Sequence, residues 1–250
     1  MSCEKNAIAQ YNRDIEEMNG YIYTGDKATL SMRIFNRRAT KAIKELIDVT
    51  NKSVIDIGCG DGTYTIKIAT EMGAGRVVGI EPSDAWELAT KKHVAHSSKV
   101  TFRQGSAYQL DYADNTFDFA LMRGVLHHLD DPEKGLKEAF RVARNIFLLE
   151  PNGYNPIIKL LEIFSPYHRA HNERSFSPVL LRRWLRHQGG VISGDSYSNL
   201  VPLFCPDPAA RFLDWLTPKW EAFPLIPRVS CGLYCVAARK DDGIERSVTS

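Results

Sequence analysis

Val54-Ile55-Asp56-Ile57-Gly58-Cys59-Gly60-Asp61-Gly62 decides the reading of this chain, because a β-branched apolar run passes straight into a turn with three glycines in five residues. Val54, Ile55 and Ile57 suit a parallel strand covered on both faces, and the glycines permit tight turning and close approach of a ligand to the backbone. Thr63 to Met72 follows as a helix with Ile68, Ala69 and Met72 on one side. Strand, glycine turn and helix in that order make a ligand loop.

Charge narrows the ligand. A phosphate loop ends in Gly-Lys-Ser/Thr, and this one has no lysine. Asp56 and Asp61 flank the glycines instead, so the loop disfavours a pyrophosphate and favours a ligand carrying positive charge. The spacing is Gly-x-Gly-x-Gly, against Gly-x-Gly-x-x-Gly for dinucleotide loops. The next apolar run, Arg76 to Ile80, ends in Glu81, at an offset from Gly60 that suits an acid gripping ribose hydroxyls.

In these residues the chain resembles the class I S-adenosylmethionine-dependent methyltransferases, over residues 50–150. The resemblance implies an α/β, doubly wound, mostly parallel seven-stranded Rossmann-like sheet, with S-adenosyl-L-methionine as cofactor. It places Asp56, Gly58 and Gly60 at the methionine end, Glu81 on the ribose with Pro82 beside it, Ser106 and Ala107 on the adenine, and Arg123 also on the cofactor side. Many members carry Gly-Asp-Ala where this chain has Gly105-Ser106-Ala107, so a hydroxyl replaces the usual acid.

With 250 residues, 44% hydrophobic and 25% charged, the chain is long enough for one full core. A net charge of +2 with basic residues dispersed along the sequence gives no nucleic-acid stripe. Five scattered cysteines make no disulfide framework. No apolar run is long enough to span a bilayer and no secretory signal is evident, so the expected compartment is the cytoplasm.

Further strands are expected at 100–103, 117–122, 146–150, near 191–198 and near 232–238. A helix begins at a capping-box-like Asp84 and Glu87 and runs to about Ala95. Another begins at Asp131-Pro132, with Leu136, Ala139, Phe140 and Ala143 as its stripe. One methyltransferase domain over 1–240 is the resulting reading. The resemblance implies that residues 1–50 are an N-terminal helical lid over the cofactor, with Tyr11, Tyr21 and Tyr23 either lining the site or serving in packing. Residues 151–178 and 199–230 are substrate-side insertions, and 241–250 is a loose tail.

The resemblance puts His127 and His128, just past the fourth strand, opposite the methyl acceptor, where a histidine serves as a base at neutral pH. Consecutive residues point differently, and His128 is favoured over His127. Tyr154, Tyr167, His168 and His171 are the acceptor-side candidates, with Arg169 and Arg174 able to pair with an anionic group. His168-x-x-His171 without a third ligand at fixed spacing gives no metal site. Cys231 and Cys235, taken on one strand, stand roughly 13 Å apart at about 3.3 Å per residue, too far to share a metal or a disulfide.

The function expected is methyl transfer to a small or medium metabolite, at oxygen, with a lipid-linked or glycosylated acceptor fitting the mixture of apolar and polar groups. Between the last two strands, 199–230 carries Trp215, Trp220, Phe223, Leu225 and Ile226, and suits a homodimer or a peripheral membrane contact. No nucleic-acid partner is expected, since the Pro-Pro-aromatic signature is replaced by Arg123-Gly124-Val125-Leu126. Two rivals stay open. A noncatalytic cofactor-binding subunit would keep the loop without turnover, and an NAD(P)-dependent oxidoreductase would share the sheet, although the chain has neither the glycine spacing nor a Tyr-x-x-x-Lys pair after the fifth strand.

Overall fold

The computed structural model describes residues 8–9, 11–13, 28–96, 98–165, 174–203 and 205–241. Tyr21, Tyr23, Tyr167, His168, Arg169 and His171, and the tail from 242, lie outside the described residues.

Seven strands form one sheet in the order β3-β2-β1-β4-β5-β7-β6. They are β1 (Ser53–Ile57), β2 (Arg76–Glu81), β3 (Val100–Gln104), β4 (Phe117–Arg123), β5 (Ala143–Pro151), β6 (Gly190–Ser198) and β7 (Leu233–Lys240). The first five are parallel, and β7 runs antiparallel to both β5 and β6. The helices are α1 (Leu30–Leu46), α2 (Thr63–Thr70), α3 (Ala85–Lys92), α4 (Pro132–Val142), α5 (Pro156–Phe164), α6 (Pro178–His187), α7 (Asp207–Glu221) and α8 (Ile226–Ser230). Strand order reverses between β1 and β4, and the crevice at the carboxyl ends there is where open α/β sheets bind ligands.

Alternation along the strands explains why both faces need helices. Ile55, Ile57, Ala120 and Met122 pack on one side with Leu136, Phe140, Leu181 and Leu185, whereas Val54, Val77, Leu121 and Phe147 pack on the other with Ile43 and Ile68. The inner parallel strands β1, β2, β4 and β5 are therefore buried at most positions, as parallel strands covered twice must be, whereas the edge strand β3 is mostly exposed. The helix starts are locally encoded. Asp131 accepts the Lys134 amide ahead of Pro132, Asn155 accepts those of Ile157 and Ile158 ahead of Pro156, and Ser177 accepts that of Leu180 ahead of Pro178.

Several local expectations are corrected. Asp84 has helical dihedrals (φ −67°, ψ −4°) and makes no side-chain cap bond, so no capping box forms. A side-chain cap needs an extended residue. The helix it precedes stops at Lys92, with a separate 3₁₀ turn at Val94–His96. Ala143 opens β5 and does not close α4. Cys231 precedes β7 and only Cys235 lies within it. Both thiols are buried and free, and burial pushes each up to about 12, so they stay protonated and structural.

The long connection between β6 and β7 is folded. Its helix α7 is fastened to α1 by Arg38, which donates from Nε and Nη2 to Asp214 Oδ1 at 3.0 and 2.8 Å and from Nη2 to the Asp214 carbonyl at 2.6 Å. Arg38→Met should cost about 1–2 kcal/mol, read as a lower denaturation midpoint at constant slope. An unchanged midpoint would mean that the helix is held without Arg38, by the packing of Ala210 and Leu213 and the bonds of Glu221 to Ser198 and Asn199.

Candidate active site

The carboxyl ends of β1, β2, β4 and β5 border a cavity of about 600 Å³ whose wall includes Gly58, Gly60, Glu81, Arg123, His127 and His128. Its floor is the glycine loop. Gly58, Gly60 and Gly62 have φ of +75°, +56° and +75°, a backbone that other residues rarely adopt. A Cβ on Gly58 would stand 2.5 Å from Val125 Cγ2, so close approach of the segment after β4 also requires glycine there. The amides of Gly58 and Cys59 both donate to the Ile80 carbonyl, at 2.8 and 3.0 Å, and fix the loop to β2.

Three buried acids surround this loop, and each is held differently. Glu81 accepts the Gly60 amide on Oε2 at 2.9 Å and the Ser83 hydroxyl and amide on Oε1 at 2.6 and 3.1 Å. Burial raises its carboxyl above the ordinary value against the pull of those bonds. Asp56 lies beneath the loop and accepts the Thr65 hydroxyl at 2.6 Å; burial raises it too, opposed by Thr65 and the nearby Arg123 charge. Asp61 pairs with Lys92 Nζ at 2.9 Å. Two of the acids thus have a cation close by, which the sequence reading of an anionic loop did not include. Lys92 comes from α3 and is brought in by the fold.

Arg123 ends β4 with its guanidinium 3.2 Å from the centre of the Tyr64 ring. Its Nε is buried and has no protein acceptor among the described residues. A cation stacked on an aromatic face at a cavity wall, with a donor left over, fits an anionic ligand group. The remaining cofactor-side candidates divide. Pro82 and Ala107 line the cavity, whereas Asp56 and Ser106 are not among its lining residues. The Ser106 hydroxyl is taken up locally, accepting the Tyr108 amide at 3.2 Å.

Both histidines line the cavity, contrary to the expectation that one would turn away. They sit on a single 3₁₀ turn, Leu126–His128, with ring centres 3.9 Å apart. His127 Nδ1 lies 2.6 Å from Glu150 Oε2, and the fully buried Glu150 accepts the Val125 and Leu126 amides on Oε1, each at 2.9 Å. A carboxylate partner makes Nδ1 the donor and leaves Nε2 able to accept a proton. His128 Nε2 is 2.9 Å from the Tyr11 hydroxyl. Glu150 was missed as a site residue. Its signal was an acid closing the apolar run Ile146 to Leu149, the same pattern that singles out Glu81.

The far wall is apolar. Ile157, Ile158 and Leu161 of α5 and residues 200–203 line it, with Arg174 at its edge. Arg174 donates to the Leu129 carbonyl and lies 5.3 Å from the Phe176 ring centre. Tyr154 is exposed and is not part of the wall. Among the described residues there is no cluster of three or more metal-ligating side chains, and no helix is long and apolar enough to cross a membrane.

A family model described as a methyltransferase domain matches residues 55–146. An uncharacterized methyltransferase of Schizosaccharomyces pombe is 38% identical over 109 residues, 40% of this chain and 37% of that protein. A ubiquinone/menaquinone biosynthesis C-methyltransferase of Bdellovibrio bacteriovorus is 31% identical over 176 residues, 69% of each chain. The crystal structure of an S-adenosylmethionine-dependent methyltransferase from Thermotoga maritima superposes with a TM-score of 0.65 at 19% identity, covering 94% of this chain and 99% of the other. The chain spans 37%, 50% and 59% of the length of three curated relatives it matches.

Proposed function

From the premise that this chain belongs to the class I S-adenosylmethionine-dependent methyltransferases, we propose that it transfers the cofactor's methyl group to a hydroxyl-bearing small molecule with a large apolar portion. The observation that carries the reading is the bond between His127 Nδ1 and Glu150, which orients a proton acceptor at the cavity wall.

The residues present fit the cofactor. Glu81 serves its ribose hydroxyls, the glycine loop and Arg123 its methionine carboxylate, and Ile80, Pro82 and Ala107 the adenine faces. Asp56 acts from below, by countering the Arg123 charge and anchoring Thr65. When bound, the cofactor supplies a methyl already activated by its sulfonium. The protein's share is alignment, exclusion of water and removal of one proton. His127 Nε2 takes the acceptor's hydroxyl proton while Glu150 stabilises the imidazolium that results. The apolar α5 wall holds the body of the acceptor, and Arg174 offers a cation to a polar or anionic handle.

Transfer at the hydroxyl oxygen is the first reading. A second, transfer to a ring carbon beside an ionised hydroxyl, is favoured by the C-methyltransferase among the relatives, since the same base prepares both. Calorimetric titration should show binding of S-adenosylmethionine and S-adenosylhomocysteine and none of NAD. Incubation of the protein with isotopically labelled cofactor and phenolic or quinol acceptors, with the new methyl located by NMR, then separates oxygen from carbon. Cofactor binding without label transfer to any hydroxyl compound would leave a binding subunit in place of an enzyme.

A further inference from the structure

The cavity's apolar wall continues outside as an apolar face. Of the fifteen exposed large hydrophobic side chains among the described residues, twelve lie in two stretches, six in 154–164 and six in 212–229. Scattered singly they would need no explanation, but such concentration marks an interaction surface. Phe164 is 72% exposed, Trp215 62% and Leu225 65%.

The two stretches are one piece of structure. Asn155, the cap of α5, donates through Nδ2 to the Ser230 carbonyl at the end of α8, at 2.9 Å. Trp220 Nε1 of α7 donates to the Ser230 hydroxyl at 2.8 Å. Charge on this piece is sorted. Asp214 faces α1 and pairs with Arg37 and Arg38, and Glu221 accepts the Ser198 hydroxyl and Asn199 amide at 2.8 and 3.1 Å. Arg211, Lys219 and Arg228 are left outward, against Asp207 alone. Lys219 Nζ stands 4.4 Å from the Trp215 ring centre, a cation beside an exposed aromatic.

We propose that α5, α7 and α8 form a docking face for the surface of an anionic lipid bilayer. Exposed aromatic and aliphatic side chains with a surplus of outward cations are the composition of an interfacial helix, with Trp at headgroup depth and Lys and Arg reaching the phosphates. A second copy of the chain is the poorer occupant, because a two-fold contact would set one face with a surplus of cations against another. Ile157 and Leu161 belong to both this face and the cavity wall, so an apolar acceptor would pass from bilayer to site along α5. That last step rests on the acceptor reading above; the docking does not.

The test is co-sedimentation of the protein with vesicles of phosphatidylcholine alone or mixed with phosphatidylglycerol, beside light scattering for the oligomeric state. Binding is expected to the mixed vesicles and to weaken with salt. Replacing Arg211, Lys219 and Arg228 together by Ala should lower it on the order of a hundredfold. Phe212→Ser with Trp215→Ser should weaken it at every salt concentration. None of these five lines the cavity, so S-adenosylhomocysteine affinity should be unchanged and reports that the fold is intact. Absence of binding to mixed vesicles, binding indifferent to both variants, or a stable dimer that the aromatic variant dissociates would each overturn the proposal. A failure of methyl transfer with intact vesicle binding would count only against the acceptor reading.

Discussion

His127→Ala lowers turnover by roughly 10²–10⁴ while leaving cofactor affinity nearly intact, the range removed with a general base. The sequence favoured His128, and the Glu150 bond shifts that preference. A carboxylate that is fully buried and already held by two amides cannot turn away, so it fixes both the tautomer and the plane of His127. Glu150→Gln is the sharper variant. Its carbonyl oxygen can keep the amides of Val125 and Leu126, but its NH₂ then meets His127 Nδ1 donor to donor. The imidazole must take the other tautomer, which puts the proton on Nε2 and removes the acceptor. Turnover should fall on the order of that seen for the alanine variant, with thermal stability little changed, much as a wrong tautomer disables a catalytic histidine elsewhere. The acid limb of the pH–rate profile, which reports protonation of the base, should vanish in His127→Ala. His128→Ala should lose less, because its partner is a tyrosine hydroxyl. Unchanged turnover in His127→Ala would leave alignment by the cavity as the whole of catalysis.

What could be read from the sequence follows from how far each contact reaches. The strand, glycine turn and helix from Val54 to Thr70 are decided by residues adjacent in the chain, and so are the caps at Asp131, Asn155 and Ser177. Glu81 was legible because a parallel β1–β2 pair brings the end of one strand beside the loop after the other. The His127–Glu150 bond depends on the register of β4 against β5, in which Arg123 faces Leu149, and no spacing within either segment announces it. Lys92 beside Asp61 and Arg38 beside Asp214 join segments brought together only by helix packing. Asp84 failed as a cap for a related reason. Its amide is held by Asn12, and the preceding Ser83 is drawn back to Glu81, which leaves Asp84 in helical dihedrals.

Glu81→Ala weakens S-adenosylmethionine binding by roughly 1.5–3 kcal/mol, about ten- to a hundredfold in Kd, if its carboxylate receives the ribose hydroxyls. Part of any loss could come from the loop, because Ala leaves the Gly60 amide and both Ser83 donors without their acceptor. Glu81→Gln separates the two. The amide oxygen still accepts from the Ser83 hydroxyl and amide, while the charge is gone and the NH₂ in place of Oε2 meets the Gly60 amide donor to donor. Burial holds the folded carboxyl above its ordinary value, so ionised Glu81 costs stability in full above that raised value, and the cost fades as pH falls from there to the ordinary unfolded one and is gone below it. Glu81→Gln gives up the Gly60 bond at every pH but not the cost of ionisation, so its stability deficit against the parent protein should be smaller at neutral pH than in acid, while it binds the cofactor more weakly. Chemical denaturation at two pH values and titration calorimetry on the same samples measure both. Weakened binding only in the alanine variant, with Gln equal to the parent, would reduce Glu81 to a strut of the glycine loop and leave the ribose to other groups.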